Sequence, residues 1–111
     1  MTREEFERLK AVPFFRGKIV TGSMDPVIKI GEEIVVDVGC RDLKRFDIIV
    51  FFQSDKLICH YLWRKNSIVK PVLYQTRALN GGYDLPVTEE LCLGKVISHK
   101  LPLWRILKSL F

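Results

Sequence analysis

The strongest constraint on the fold is the stretch from Ile48 to Trp63. Two apolar and aromatic runs, Ile48-Ile49-Val50-Phe51-Phe52 and Leu57-Ile58-Cys59-His60-Tyr61-Leu62-Trp63, are separated only by Gln53-Ser54-Asp55-Lys56. β-branched and aromatic residues at this density favour extended backbone, and a Ser-Asp pair between two such runs reads as a hairpin turn. The first run does not alternate with polar residues, so both faces of that strand have to be covered, as in a small sheet system folded on itself. The full set of expected strands is roughly 18–21, 33–38, 48–53, 56–65, 67–75 and 95–99, with a second hairpin turn at Lys65-Asn66. These make a mainly β core of twisted antiparallel sheets over 18–99.

The flanks read as helices. Thr2-Arg3-Glu4-Glu5 is a capping box, Phe6, Leu9 and Val12 follow at helical spacing, and Pro13 stops the run, so a short N-terminal helix is expected within 1–12. At the other end Pro102 precedes a cationic amphipathic helix over 102–111. Leu103, Trp104, Leu107, Leu110 and Phe111 share one broad face, and Lys100, Arg105 and Lys108 take the rest. Such a helix either closes over the sheets or lies in a membrane interface, where it would be a peripheral contact. The 111 residues fit a single domain, 1–111.

Composition removes several classes of function. The net charge of +5 is spread along the chain and no nucleic-acid-binding motif accompanies it, so no nucleic acid partner is expected. Cys40, Cys59 and Cys92 are odd in number and form no CxxC pair, which argues against a disulfide framework or a zinc site. No metal or other cofactor is expected. The charged N-terminus does not read as a signal peptide, and no apolar run reaches 18 residues. A cytoplasmic monomer, or one peripheral at a membrane, is the expectation.

The chemistry-bearing stretch is Thr21-Gly22-Ser23-Met24-Asp25-Pro26, followed by Val27-Ile28-Lys29-Ile30-Gly31. Gly22 permits a tight turn and Pro26 stiffens it, so that Ser23 is presented on a bend. A serine in such a place either caps the turn or acts as a nucleophile. The longest aperiodic segment, 76–90, holds Asn80-Gly81-Gly82 and Asp84. There the aspartate either forms a turn with its own backbone or serves a site.

Four blocks in order resemble the type I signal peptidases and the related self-cleaving domain of SOS repressors. Gly22-Ser23-Met24-Asp25-Pro26 is similar to the nucleophile box. Asp42-Leu43-Lys44-Arg45-Phe46-Asp47 followed by Ile48-Ile49-Val50-Phe51 is similar to the next, with Phe46 where the family has glycine. Leu57-Ile58-Cys59-His60-Tyr61 resembles the strand that carries the general base, a histidine in one branch of the family and a lysine in the other. Thr76-Arg77-Ala78-Leu79-Asn80, then Asp84 and Gly94-Lys95-Val96-Ile97, is similar to the last, with Leu79 in place of a loop aspartate. The resemblance implies a signal-peptidase-like fold and a serine endopeptidase acting on an extended signal- or leader-type peptide. It implies Ser23 as nucleophile, His60 as base and Asp84 as the group that orients it. The Ser23 N–H and the Thr21 hydroxyl would be oxyanion donors, and Met24 and Pro26 would shape the substrate-binding turn. Small side chains would enter shallow pockets near Ser23. The losses at Phe46 and Leu79 keep a second reading open, a catalytically silent peptide-binding or adaptor module. The expected form is a short stand-alone relative without a membrane anchor. Cys59 faces away from His60 on the same strand, and His99 is expected to be a surface residue.

Overall fold

The computed structural model describes residues 1–110. Its elements are α1 (Arg3–Leu9), β1 (Phe14–Lys18), β2 (Glu33–Val38), β3 (Ile48–Gln53), β4 (Lys56–Asn66), β5 (Leu73–Arg77), β6 (Val87–Thr88), β7 (Cys92–Val96) and α2 (Leu103–Leu110), with a 3-10 turn at Glu89–Leu91. All seven strands join one antiparallel sheet in the order β1-β2-β7-β3-β4-β5-β6. The protein is therefore mainly β. The several twisted sheets expected from sequence are one continuous open sheet.

Alternation along β3 divides the interior. Ile48, Val50 and Phe52 join Phe6, Met24, Ile28, Ile34, Val36, Tyr61 and Leu93 on one face, while Ile49 and Phe51 join Leu43, Leu62, Val72, Tyr74, Val87 and Cys92 on the other. Both faces of β3 are covered, which is why its sequence shows no polar alternation. The Ser54-Asp55 turn has φ of 53° and 60°, the left-handed pair that a two-residue hairpin loop requires. β2 and β7 approach so closely that a Cβ on Gly94 would lie 2.0 Å from the Asp37 carbonyl oxygen.

Several boundaries differ from the sequence reading. β1 lies at 14–18 and not 18–21, because Phe14 to Lys18 pair in register with Asp37 to Glu33 before the chain turns away. There is no tight turn at Lys65-Asn66. β4 continues through Asn66, the Asn66 side chain accepts from the Ile68 N–H at 3.1 Å, and β5 starts only at Leu73, after Pro71, which has no N–H for a ladder. β7 begins three residues earlier than expected, at Cys92, across a register shift at Val50/Phe51. β6 has only two residues, too short to leave a periodic signal.

The N-terminal helix carries both halves of its capping box and ends at Leu9, leaving Val12 exposed. Phe6 is its one fully buried side chain and stacks on Phe52 at 4.9 Å. In α2, Ile106 packs against the first apolar layer, and Leu103, Trp104, Leu107 and Leu110 face outward at 47–70 % exposure. Phe111, assigned to the same face from sequence, lies outside the described residues.

Candidate active site

Ser23 sits on a bend between β1 and β2, pinned on both sides. Met24, the next residue, is wholly buried, and its carbonyl accepts from Ile28 N at 2.8 Å. The Ser23 carbonyl accepts from Leu79 N at 2.9 Å, which ties the bend to the loop after β5. Gly22 has an ordinary backbone angle, and a Cβ there would meet no atom within 4 Å. Its small size therefore leaves open space beside Ser23, and the turn itself does not demand glycine.

His60 projects from β4 opposite Ile49 of β3. Its Nε2 lies 3.1 Å from Ser23 Oγ, and its Nδ1 lies 2.5 Å from Asp84 Oδ2. The tautomer follows from the partners: an ionised carboxylate can only accept, so Nδ1 carries the proton and donates to Asp84. Neutral Nε2 is then an acceptor, and the Ser23 hydroxyl donates to it. The His60 and Asp84 side chains are 12 % and 17 % exposed, so water competes little with either bond. The Phe51 ring meets the imidazole edge-on at 6.1 Å.

Asp84 is held by Thr76. The buried Thr76 hydroxyl donates to Asp84 Oδ2 at 2.7 Å, and the Asp84 N–H donates to the Thr76 carbonyl at 3.2 Å. Between them the chain reverses through Ala78 to Gly82, where Ala78 N bonds Gly82 O at 2.9 Å and the Asn80 side chain accepts from Gly82 N at 3.2 Å. Thr76 had no assigned role in the sequence reading. Its contact depends on the pairing of β5 with the returning loop, shown by the Arg77–Tyr83 bridge. No sequence signal marks it, because burial at one position is not legible and Thr76 falls just past the strand expected at 67–75.

The remaining candidates separate. Thr21 Oγ1 lies 3.3 Å from Ser23 Oγ, and the Ser23 main-chain N–H makes no hydrogen bond among the described residues. Met24 lines the cleft beside Ser23. Pro26 is exposed and does not, because the turn after Asp25 carries it to the surface. Leu79 contributes main-chain atoms: its N–H holds Ser23 and its carbonyl accepts from Arg105 Nη2 of α2 at 2.7 Å. His99 is half-buried, with Nε2 2.9 Å from Glu32 and Nδ1 2.8 Å from Ser98 Oγ. The hydrogen bond from His99 holds the Glu32 carboxyl below its usual range.

Cys59 packs against the first apolar layer while His60 meets Phe51 of the second, so the two side chains take opposite faces of β4. Burial pushes the Cys59 thiol up to about 12, leaving it neutral at physiological pH and a poor nucleophile.

The cleft running from Ser23 has a volume of about 450 Å³. It is lined from β1 and the following residues (Phe15 and Gly17 to Thr21), from Ile34 and Val50, and from Lys56 to His60 of β4. β1 and β4 are separated in the sheet by β2, β7 and β3, so the sheet must curl to bring them to one cleft. β1 is an edge strand. β5 pairs with β4 only from Tyr61 onward, which leaves Lys56 to His60 without a paired strand on that side among the described residues.

No family model, curated protein or solved structure matches the chain.

Proposed function

We propose that the chain is a serine endopeptidase that cleaves an extended signal- or leader-type peptide, in the manner of the signal peptidases its sequence blocks resemble. The observation that carries this reading is the continuous hydrogen-bonded line Ser23 Oγ, His60 Nε2, His60 Nδ1, Asp84 Oδ2. Hydroxyl, imidazole and carboxylate in this order form the constellation of a Ser-His-Asp hydrolase.

His60 takes the Ser23 proton as Oγ attacks the scissile carbonyl carbon, because a serine hydroxyl is a weak nucleophile until a base removes its proton. The imidazolium is stabilised by Asp84, which Thr76 keeps in place. The oxyanion is met by the Ser23 N–H and the Thr21 hydroxyl, each donor worth roughly 10²–10³-fold. His60 returns the proton to the leaving amine, then activates water to hydrolyse the acyl-serine ester. The peptide lies extended in the cleft, paired with the free backbone edges of β1 and the first half of β4.

No nucleic acid or cofactor takes part. The enzyme works as a monomer in the cytoplasm or at a membrane surface touched by α2. Among the described residues no helix is long and apolar enough to cross a membrane.

The test is cleavage of extended peptides, followed by mass spectrometry, with wild type, Ser23→Ala and His60→Ala. Both variants are expected to lose roughly 10⁴-fold or more of kcat while keeping the circular dichroism of the wild type. Iodoacetamide and Cys59→Ser should leave cleavage intact. Retained turnover in Ser23→Ala would remove the proposal. Tight peptide binding by wild type without turnover would favour the silent peptide-binding module.

A further inference from the structure

The cleft beside Ser23 is roomy and mostly apolar-walled. We infer that it selects extended peptides with a bulky apolar side chain, of leucine to phenylalanine size, beside the scissile bond. This rests on the endopeptidase reading and departs from the small-residue preference implied by the sequence resemblance.

Volume is the first argument. The cleft is open to solvent along one side, and its volume of about 450 Å³ is shared by the main chain and the inward side chains of the peptide, three times the ~150 Å³ that a single benzene-sized guest fills. With only methyl groups pointing inward, the apolar wall beyond reach of the peptide main chain stays uncovered, and unfilled apolar space forfeits both burial and dispersion. The origin of the space is local. At position 17 the missing side chain lets the Phe15 ring lie flat along β1 as an apolar wall, with a Cβ there 2.9 Å from the ring. At position 59 a short thiol stands between Leu57 and Tyr61 on the same face of β4.

Lining chemistry is the second. Phe15, Ile34, Val50, Leu57 and Cys59 belong to one apolar layer and all border the cleft. The charges along it are Lys18 and Lys56, with no carboxylate among the described lining residues. A cationic peptide side chain entering there finds no counter-ion. An aliphatic or aromatic one replaces water against hydrocarbon.

Backbone geometry is the third. In an extended peptide alternate side chains point to the same side. A chain paired with the free edge of Lys56 to His60 presents every second residue to this layer, so the residue at the scissile bond and the one two before it are the positions read.

The experiment uses one ten-residue extended peptide in which only those two positions vary, as Ala, Leu, Phe or Lys. With the wild-type protein, kcat/KM for the Leu or Phe peptide should exceed that for Ala by roughly 10-fold or more, and the Lys peptide should be the poorest. Binding of the same four peptides to Ser23→Ala, by calorimetry, reads the cleft without turnover and should give the same order. Cys59→Met narrows the cleft and should shift the preference toward Ala; if it does not fold, the peptide series on wild type and Ser23→Ala still decides. An Ala peptide bound or cleaved as well as the Leu peptide overturns the inference, as does failure of all four to bind. Binding in the stated order without any cleavage leaves the inference standing and overturns the endopeptidase reading.

Discussion

At the scale of single residues the site depends on groups whose worth comes from their partners. Ser23, His60 and Asp84 each fall inside an ordered sequence block, and the fold joins Ser23 and Asp84 to the two ring nitrogens of His60. Thr76 is not legible in that way, since a threonine on a strand has many uses and only the pairing around Arg77 and Tyr83 aims its hydroxyl at Asp84. Its bond goes to a carboxylate in a partly buried setting, where a hydrogen bond to a charged group is worth about 1.5–3 kcal/mol. Thr76→Val keeps the branched shape and removes the donor. The expected outcome is a fall in kcat/KM of about 10-fold or more, since 1.4 kcal/mol is a factor of ten. A Thr76→Ser variant should recover most of the loss. An unchanged kcat/KM in Thr76→Val would show that Asp84 is held well enough by the backbone alone.

At the scale of elements, β2, β3 and most of β4 are legible because their apolar content extends over whole strands. β6 and the true start of β5 are not, because strand pairing and a proline, acting over a few residues, decide them. The block leading into β3 holds a conflict between local preference and packing. Phe46 has φ +76°, a left-handed angle that costs a side-chain-bearing residue roughly 1–2 kcal/mol and glycine almost nothing. The same backbone bonds Leu62 in β4, with Phe46 N to Leu62 O and Leu62 N to Asp47 O both at 2.7 Å. The ring is retained by its neighbours: it stacks on Tyr61 at 6.3 Å, meets Trp63 edge-on at 6.0 Å and lies under the Arg45 guanidinium at 5.1 Å. Two aromatic pairs at about 0.5–1.5 kcal/mol each, together with burial of half a ring, outweigh the strain. Phe46→Gly and Phe46→Ala should therefore both destabilise. Alanine keeps the strain and loses the ring, so it should be the worse by about 1 kcal/mol, near 4 °C in Tm. Thermal melts of the two variants measure the difference, and an alanine variant as stable as the glycine one would mean the backbone there relaxes.

At the scale of the whole molecule, the curl of the sheet makes the cleft and α2 reaches back to it. Arg105 Nη2 donates to the Leu79 carbonyl, and Leu79 N donates to the Ser23 carbonyl, so the last helix is two hydrogen bonds from the residue proposed as nucleophile. Sequence periodicity located the helix and its apolar face but could not tell which way that face points. With Ile106 inward and Arg105 on the loop, Leu103, Trp104, Leu107 and Leu110 are left in solvent beside the cationic Lys100 and Lys108. An exposed apolar stripe flanked by lysines has the charge and shape to enter the headgroup region of an anionic bilayer. The protein is therefore expected to co-sediment with vesicles containing phosphatidylglycerol and to be released in part by 0.5 M salt, a concentration at which screening falls to a few ångströms (roughly 4 Å). It should bind purely zwitterionic vesicles far less. Leu103→Ser/Leu107→Ser removes apolar area that is already outside the core, so folding should survive while vesicle partitioning drops by about 2 kcal/mol, roughly 30-fold. Trp104, 56 % exposed, reports the same event by a blue shift of emission on anionic vesicles. If the wild type neither sediments with them nor shifts its emission, the outward stripe has another occupant and the peripheral-membrane proposal is lost, whereas the hydrolase proposal, which rests on the Ser23–His60–Asp84 contacts, is untouched.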